Sequence, residues 1–274
     1  MWVRTCRLLP GLVLTVVLLP SVAKTQNPDL MTPEASEAKG RQILKQVVEA
    51  LGGQAYLNEK TSECDGRFAQ FGHNGALSGY LEFKVYWSYP DKNRTDFAKK
   101  GNIIDLYAGD EGWTLDRGGV SEEPAPAVAD FQEGVKRNIN NLLRTRLKED
   151  RMQIRFGGSS VADLKQVDWV EITDSEERLF RLAVDHSNHL LVRSIVRIRD
   201  ENSGEKVDET TVYSNYQEKD GVQVPMQVTK ERDGRRVFQA FYESCRVNPD
   251  LPADFFTKAA LEKRYGEVGG KKKK

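Results

Sequence analysis

From Tyr80 to Tyr89 the chain reads YLEFKVYWSY, and large apolar residues occupy every second position: Leu81, Phe83, Val85, Trp87 and Tyr89. Side chains alternate across a strand with period two, so these five share one face of any strand formed here. The same period predicts strands near 63–71, 93–99, 102–108 and 112–117, divided by HNG, YPD and GDEG turns. Connections this short make antiparallel neighbours.

Two stretches switch to helical spacing. Thr32-Pro33-Glu34 supplies an N-cap, a proline for the first helical position and an early acid, and Ile43, Leu44, Val47, Val48 and Leu51 make an apolar stripe ended by Gly52-Gly53. After the loop GGVSEEPAPA, Val128, Phe131, Val135, Ile139, Leu142, Leu143 and Leu147 fall on one helical face, with Glu133, Lys136, Arg137, Asn140 and Arg144 opposite. This predicts one amphipathic helix from about Val128 to Leu147, loosely tethered through a long Pro- and Gly-containing loop.

Period two then returns in VDWVEI, ERLFRLAVD, HLLVRSIVRIRD, DETTVYSNYQE, VQVPMQVTKER and RRVFQAFYESCRV. About eleven strands against two substantial helices predict a mainly β, α+β fold. A sheet of that width curls, so the expectation is an unclosed antiparallel barrel with an N-terminal helix and a mid-chain lid helix over its concave face.

The first residues change the picture of where this domain works. Arg4 and Arg7 precede an apolar run from Leu8 to Leu19, followed by Pro20 and Ser21-Val22-Ala23, which reads as a secretory signal peptide cut after Ala23. The run is short for a transmembrane span. Cys6 precedes it, so Cys6 does not fit the acylated cysteine of a lipoprotein. The expected organisation is a signal peptide at 1–23, a flexible segment at 24–37, one domain at 38–258 and a basic tail at 259–274 ending GGKKKK.

Charge excludes one class of partner. The full chain carries 41 basic and 41 acidic residues, and cleavage removes two arginines and no acid, so the mature net charge is near −2. That balance does not fit a nucleic-acid binder. Lys271, Lys272, Lys273 and Lys274 offer a contact to anionic lipid, each worth about 1 kcal/mol near such a surface, or act as a solubilising tail. Cleavage leaves Cys64 and Cys245, one at the start of the first barrel strand and one near the end of the last. In an oxidising compartment such a pair is expected to form a disulfide.

Candidate chemistry is sparse. The chain contains no G-x-S-x-G, H-E-x-x-H, G-x-x-x-x-G-K or C-x-x-C motif, and nothing in it asks for a cofactor. His186 and His189 bracket the turn DHSNHL, where a metal ligand pair and an ordinary polar turn both fit the letters; the turn is the simpler reading. Asp105, Asp110, Glu111 and Asp116 do not follow the spacing of a calcium loop. A hydrolase using scattered carboxylates remains the catalytic option.

Several stretches together resemble the LolA/LolB-like lipoprotein-carrier superfamily of bacterial envelopes and its outer-membrane lipoprotein-sorting relatives. They are VVEALGG, YWSYPDKNRTDF, GDEGWTLD, the mid-chain helix, TVYSNYQEKDGVQVPMQVT and the closing VNPDLPADFF, spread over roughly residues 38 to 258. The resemblance implies a periplasmic, non-enzymatic monomer whose apolar concave face holds a lipid or the acyl chains of a lipoprotein. On that reading Leu81, Phe83, Val85, Trp87 and Tyr89 line the interior, with Trp113, Trp169 and the helix residues Phe131, Val135 and Ile139. A sealed core would use the same residues, and the competing expectation is an envelope sensor or protein-interaction module with a filled interior.

Overall fold

The computed structural model describes residues 28–72, 75–97, 102–199 and 204–269. The segment 1–23 expected as a signal peptide, His73 of the HNG turn and Lys271 to Lys274 lie outside them.

The first long helix, α1 (Pro33–Ala50), starts where its cap letters place it: the Thr32 hydroxyl oxygen accepts from the Ala35 N–H at 3.3 Å, and Pro33 opens the helix. One turn, α2 (Gln54–Leu57), follows Gly52-Gly53. The first run of strands comprises β1 (Thr61–Phe71), β2 (Leu77–Ser88), β3 (Lys92–Phe97), β4 (Ile103–Ala108), β5 (Glu111–Asp116) and β6 (Gly119–Glu122). Two helices interrupt it, α3 (Ala125–Arg137) and α4 (Ile139–Arg144). The second run comprises β7 (Gln153–Ala162), β8 (Lys165–Thr173), β9 (Leu179–Asp185), β10 (Leu191–Arg199), β11 (Lys206–Lys219), β12 (Val222–Arg232) and β13 (Arg235–Val247), and α5 (Lys258–Gly269) closes the chain.

All thirteen strands form one antiparallel sheet in the order β6-β5-β4-β3-β2-β1-β13-β12-β11-β10-β9-β8-β7. Each run is a meander, and the two meanders join along one long-range seam, β1 against β13. Strands β6 and β7 are the two ends, so the sheet is an unclosed half-barrel. The count exceeds the expected eleven or so by β6 and β7. β6 has a single large apolar residue, Val120, and β7 contains Gly157-Gly158-Ser159-Ser160, which reads as a turn.

Helix α1 lies across the concave face at β7 and β8, burying Ile43, Leu44 and Val47 against Ile154, Phe156, Val170 and Ile172. Small residues allow the approach. A Cβ at Gly40 would sit 2.9 Å from Ile154 Cγ2, and the Ser36 hydroxyl accepts from the Phe156 N–H at 3.1 Å. The helix thereby caps part of an edge strand that would otherwise offer free backbone groups.

The expected single helix over 128–147 is broken. Asn138 has extended backbone, and its side-chain oxygen accepts from the N–H groups of Asn140 at 2.8 Å and Asn141 at 3.2 Å, so it ends α3 and N-caps α4. Nor is the segment before α3 a loose tether. Gly119–Glu122 is strand β6, and the Glu123 N–H donates to the Gly112 carbonyl at 2.8 Å.

The convex face of β3 to β5 has its own cover. Residues 258–269, all but the first in the stretch expected as a basic tail, form α5, whose fully buried Leu261 packs on Ile104, Leu106, Trp113 and Leu115. Upstream of it Phe255 stacks edge-on against Tyr86 at 4.7 Å and lies 4.2 Å beneath the Arg94 guanidinium.

Buried carboxylates pin the turns of the second meander. Asp174 is fully buried, accepts from the N–H groups of Glu176 and Arg178, and pairs with Arg146 at 3.0 Å and Arg178 at 3.2 Å. Burial alone would raise its pKa, but these donors outweigh burial and hold it below the usual value. Asp185, paired with Lys165 at 2.8 Å, is held at about 2 by Lys165 and Ser187, again against burial. The unfolded-state value is about 3.9, so the folded state binds fewer protons. The stabilisation from Asp185 is therefore present above about pH 4 and lost as pH falls through about 2, and that from Asp174, whose pKa is also depressed, is lost in the same direction. Urea midpoints should drop steeply over that window, and Asp174→Asn should flatten the drop.

Candidate functional site

Two adjoining cavities lie between the helices and the concave face of the central strands. The inner one, about 170 Å³, is mostly apolar and is bounded by α2, α4, β1, β2 and β10 to β13. The outer one, about 470 Å³, is more polar and lies between α3 and strands β10 to β12. Trp87, Ile139, Asn140, Tyr213, Val228 and Tyr242 wall both. Small-molecule sites run from roughly 300 to 1,000 Å³, so the outer cavity alone reaches that range and the inner one extends it.

The inner cavity is built around a buried charge pair. Arg144, at the end of α4, donates through Nη2 to Glu59, which precedes β1, and both side chains are almost completely buried. The guanidinium is sandwiched between the rings of Tyr56 and Tyr89, 4.3 Å from each centroid. The Tyr56 hydroxyl donates to Asn140 Oδ1 at 3.0 Å, and Asn140 Nδ2 donates to the Tyr89 hydroxyl at 3.4 Å. Burial raises the Glu59 pKa, with Arg144 pulling it back. Burial works against the charge on Arg144, yet Tyr89, Tyr56 and Glu59 more than offset it and keep the group cationic. Among the described residues Arg144 Nε and Nη1 have no hydrogen-bond partner and are buried.

Chemically this arrangement holds and orients. Among the described residues no histidine and no free thiol lines either cavity, and burial pushes Tyr213 and Tyr242 up to about 12, so neither offers a phenolate near neutral pH.

Of the sequence-derived lining residues, Val85, Trp87, Tyr89 and Ile139 wall the inner cavity, and Trp87, Phe131 and Ile139 wall the outer one. Phe131 stacks on Tyr107 at 4.7 Å and on Trp87 at 6.4 Å. Phe83 shares their face but is buried one step along, against Phe68 at 5.3 Å and Tyr242 at 5.7 Å. Leu81 lies beyond that cluster and is 49% exposed. Val135 is half-buried on α3, its carbonyl accepting from Asn141 Nδ2 at 3.1 Å, and it walls neither cavity.

Trp113 and Trp169 are on the other face of the sheet. Leu106 and Trp113 are register partners beneath α5, while Tyr107 beside them turns inward to Phe131. In β8 it is Val170 and Ile172 that fill the concave core, so Trp169 is directed outward; its indole N–H donates to Ser160 at 2.8 Å and Arg181 covers its ring.

Cys64 and Cys245 are joined by a disulfide across 181 residues, as expected. They face each other in the β1–β13 register with Cα atoms 4.1 Å apart, and both touch the inner cavity. His186 Nδ1 lies 3.1 Å from Asp168 on the surface, and among the described residues no three His, Cys, Asp or Glu side chains are grouped to hold a metal.

Sequence reasoning missed Tyr56, Glu59, Arg144, Tyr213 and Tyr216 as lining residues. Arg144 belongs to the polar face of a continuous helix, and only the break at Asn138 turns it inward. Asn215, at φ +53°, kinks β11 so that Tyr213 and Tyr216 both reach the cavity despite their three-residue spacing.

No family model matches the sequence, and a search of curated proteins returns no match. Solved structures do match in fold. A DUF1329 family protein from Desulfovibrio piger aligns over 81% of this chain and 98% of its own, with TM-score 0.58 and 14% identity. A LolA superfamily protein from Nitrosomonas europaea aligns over 81% and 99%, with TM-score 0.53 and 14% identity. A putative outer membrane lipoprotein-sorting protein domain from Vibrio parahaemolyticus aligns over 82% and 99%, with TM-score 0.53 and 12% identity. The chain therefore has the LolA/LolB-like fold, an unclosed antiparallel half-barrel with helices α1 to α4 on its concave side.

Proposed function

We propose that the mature protein is a non-enzymatic carrier or binding protein of the bacterial cell envelope that holds an acyl chain of a lipid or lipoprotein against the concave face. The observation that carries this reading is the pair of adjoining cavities behind α3 and α4, walled by Trp87, Tyr89, Tyr213 and Val228 in a fold shared with a lipoprotein-sorting domain. A sealed core would have filled that space. Instead α3 has no buried residue, whereas α4 buries four of its six.

The energetics suit the role. Each buried methylene is worth about 0.8 kcal/mol, so a chain of roughly sixteen carbons offers about 12 kcal/mol before association costs. Export through the segment 1–23 places the protein where such lipids are handled, and no helix among the described residues is long and apolar enough to cross a membrane.

Mass spectrometry tests both parts. Protein exported by its own leader should begin at Lys24, and organic extraction of the purified protein should release a lipid in near-stoichiometric amount. A retained leader together with an empty extract from protein that also takes up no added lipid would rule the reading out.

A further inference from the structure

The two cavities differ in charge, and the difference assigns an orientation to whatever fills them. In the inner cavity the guanidinium of Arg144 is already neutralised by Glu59. A second buried anion there would leave a net negative charge in a low-dielectric space, which is costly. The rest of the inner wall is mainly apolar, with Val85, Val224, Tyr216 and Val228 along it, and the exposed Arg246 that also borders it is paired with Glu63.

The outer cavity has the opposite character. Along β12 the concave-facing residues run from Val228 to Lys230 and Arg232, and Arg137 meets them from the last turn of α3. Two acids face these three cations: Asp130, 3.5 Å from Arg137, and Glu209, 3.9 Å from Arg232. Lys230 has no ion-pair partner among the described residues, so the cavity carries one cation in excess. Arg137 Nε is buried without an acceptor, and Thr211 and Ser194 add hydroxyls to the same wall.

Resting on the acyl-chain reading above, we propose that the ligand is an anionic amphiphile, its phosphate or carboxylate held in the outer cavity by Lys230 and Arg137 and its chain directed past Trp87 into the inner one. The polarity follows from where charge is unmatched. An anion in the outer cavity meets the ammonium of Lys230 and the guanidinium of Arg137, whereas the inner cavity rewards mainly apolar contact and a neutral acceptor for Arg144.

Two lipids that differ by one group test this: palmitoyl lysophosphatidic acid and monopalmitoylglycerol, titrated into the delipidated mature protein with Trp87 fluorescence as readout. A charge-assisted contact is worth about 10- to 100-fold in affinity, so lysophosphatidic acid should bind at least about tenfold tighter. Rising salt should narrow the ratio, since the outer cavity is open to solvent. Lys230 is exposed, so Lys230→Met should fold normally and collapse the ratio toward one. Equal affinities for the two lipids would overturn the headgroup assignment while leaving the acyl-chain reading standing. Binding of neither lipid would sink the acyl-chain reading itself. Inorganic phosphate matching lysophosphatidic acid in affinity would mean a free anion is the ligand and would overturn the proposed orientation.

Discussion

Replacing Glu59 by alanine should destabilise the protein by about 3–5 kcal/mol, among the largest single-residue effects expected. The substitution strips the partner from an arginine whose side chain is 5% exposed and whose Nε and Nη1 are already without acceptors. The remaining cation would be left largely desolvated, its guanidinium packed 4.3 Å from the ring centroids of both Tyr56 and Tyr89. Replacing both partners, Glu59→Leu with Arg144→Met, should recover most of the loss, since a buried pair is worth little more than apolar side chains of similar volume. Urea unfolding of the single and double variants decides it. A cost below about 1 kcal/mol for Glu59→Ala would mean that the pair is effectively solvated.

Reduction of the Cys64–Cys245 disulfide should cost about 2–5 kcal/mol, with the chain-entropy ceiling for so long a loop near 5 kcal/mol. The effect is large because of where the bond sits. The two meanders of the sheet are hydrogen-bonded to each other along β1 and β13, and this cross-link fastens the seam near the inner cavity. The same seam is packed closely elsewhere, for a Cβ at Gly66 would come within 2.1 Å of the Phe241 carbonyl oxygen. Unfolding midpoints with and without reductant measure the difference, and alkylation of the oxidised protein should find no free thiol at either position.

Much of this architecture is legible in the letters, because period-two alternation and short turns dictate antiparallel pairing whatever the tertiary context. The alternation from Leu81 to Tyr89 identifies one face of β2, and that face is the one that meets α3 and the cavities. Which tryptophans accompany it is not legible. Trp113 and Trp169 sit in equally apolar strands, and both faces of this sheet are partly covered: α5 makes the convex side of β5 a core as dry as the concave one. The stretch that forms α5 looks like a charged tail, since between 258 and 267 Leu261 alone is fully buried. The buried pair escaped notice for a different reason: Glu59 and Arg144 are 85 residues apart and each reads as an ordinary surface charge until the fold brings them together.

The most direct test of the account is collisional quenching of tryptophan by a brominated stearate, because bromine quenches only on close approach. Trp87 stands in the wall common to both cavities, whereas Trp113 and Trp169 are on the far face of the sheet. Saturable quenching is expected in the mature wild-type protein, nearly all of it lost in Trp87→Phe and retained in Trp169→Phe. Quenching that is absent, or that persists undiminished in Trp87→Phe, would contradict an acyl chain in the concave face.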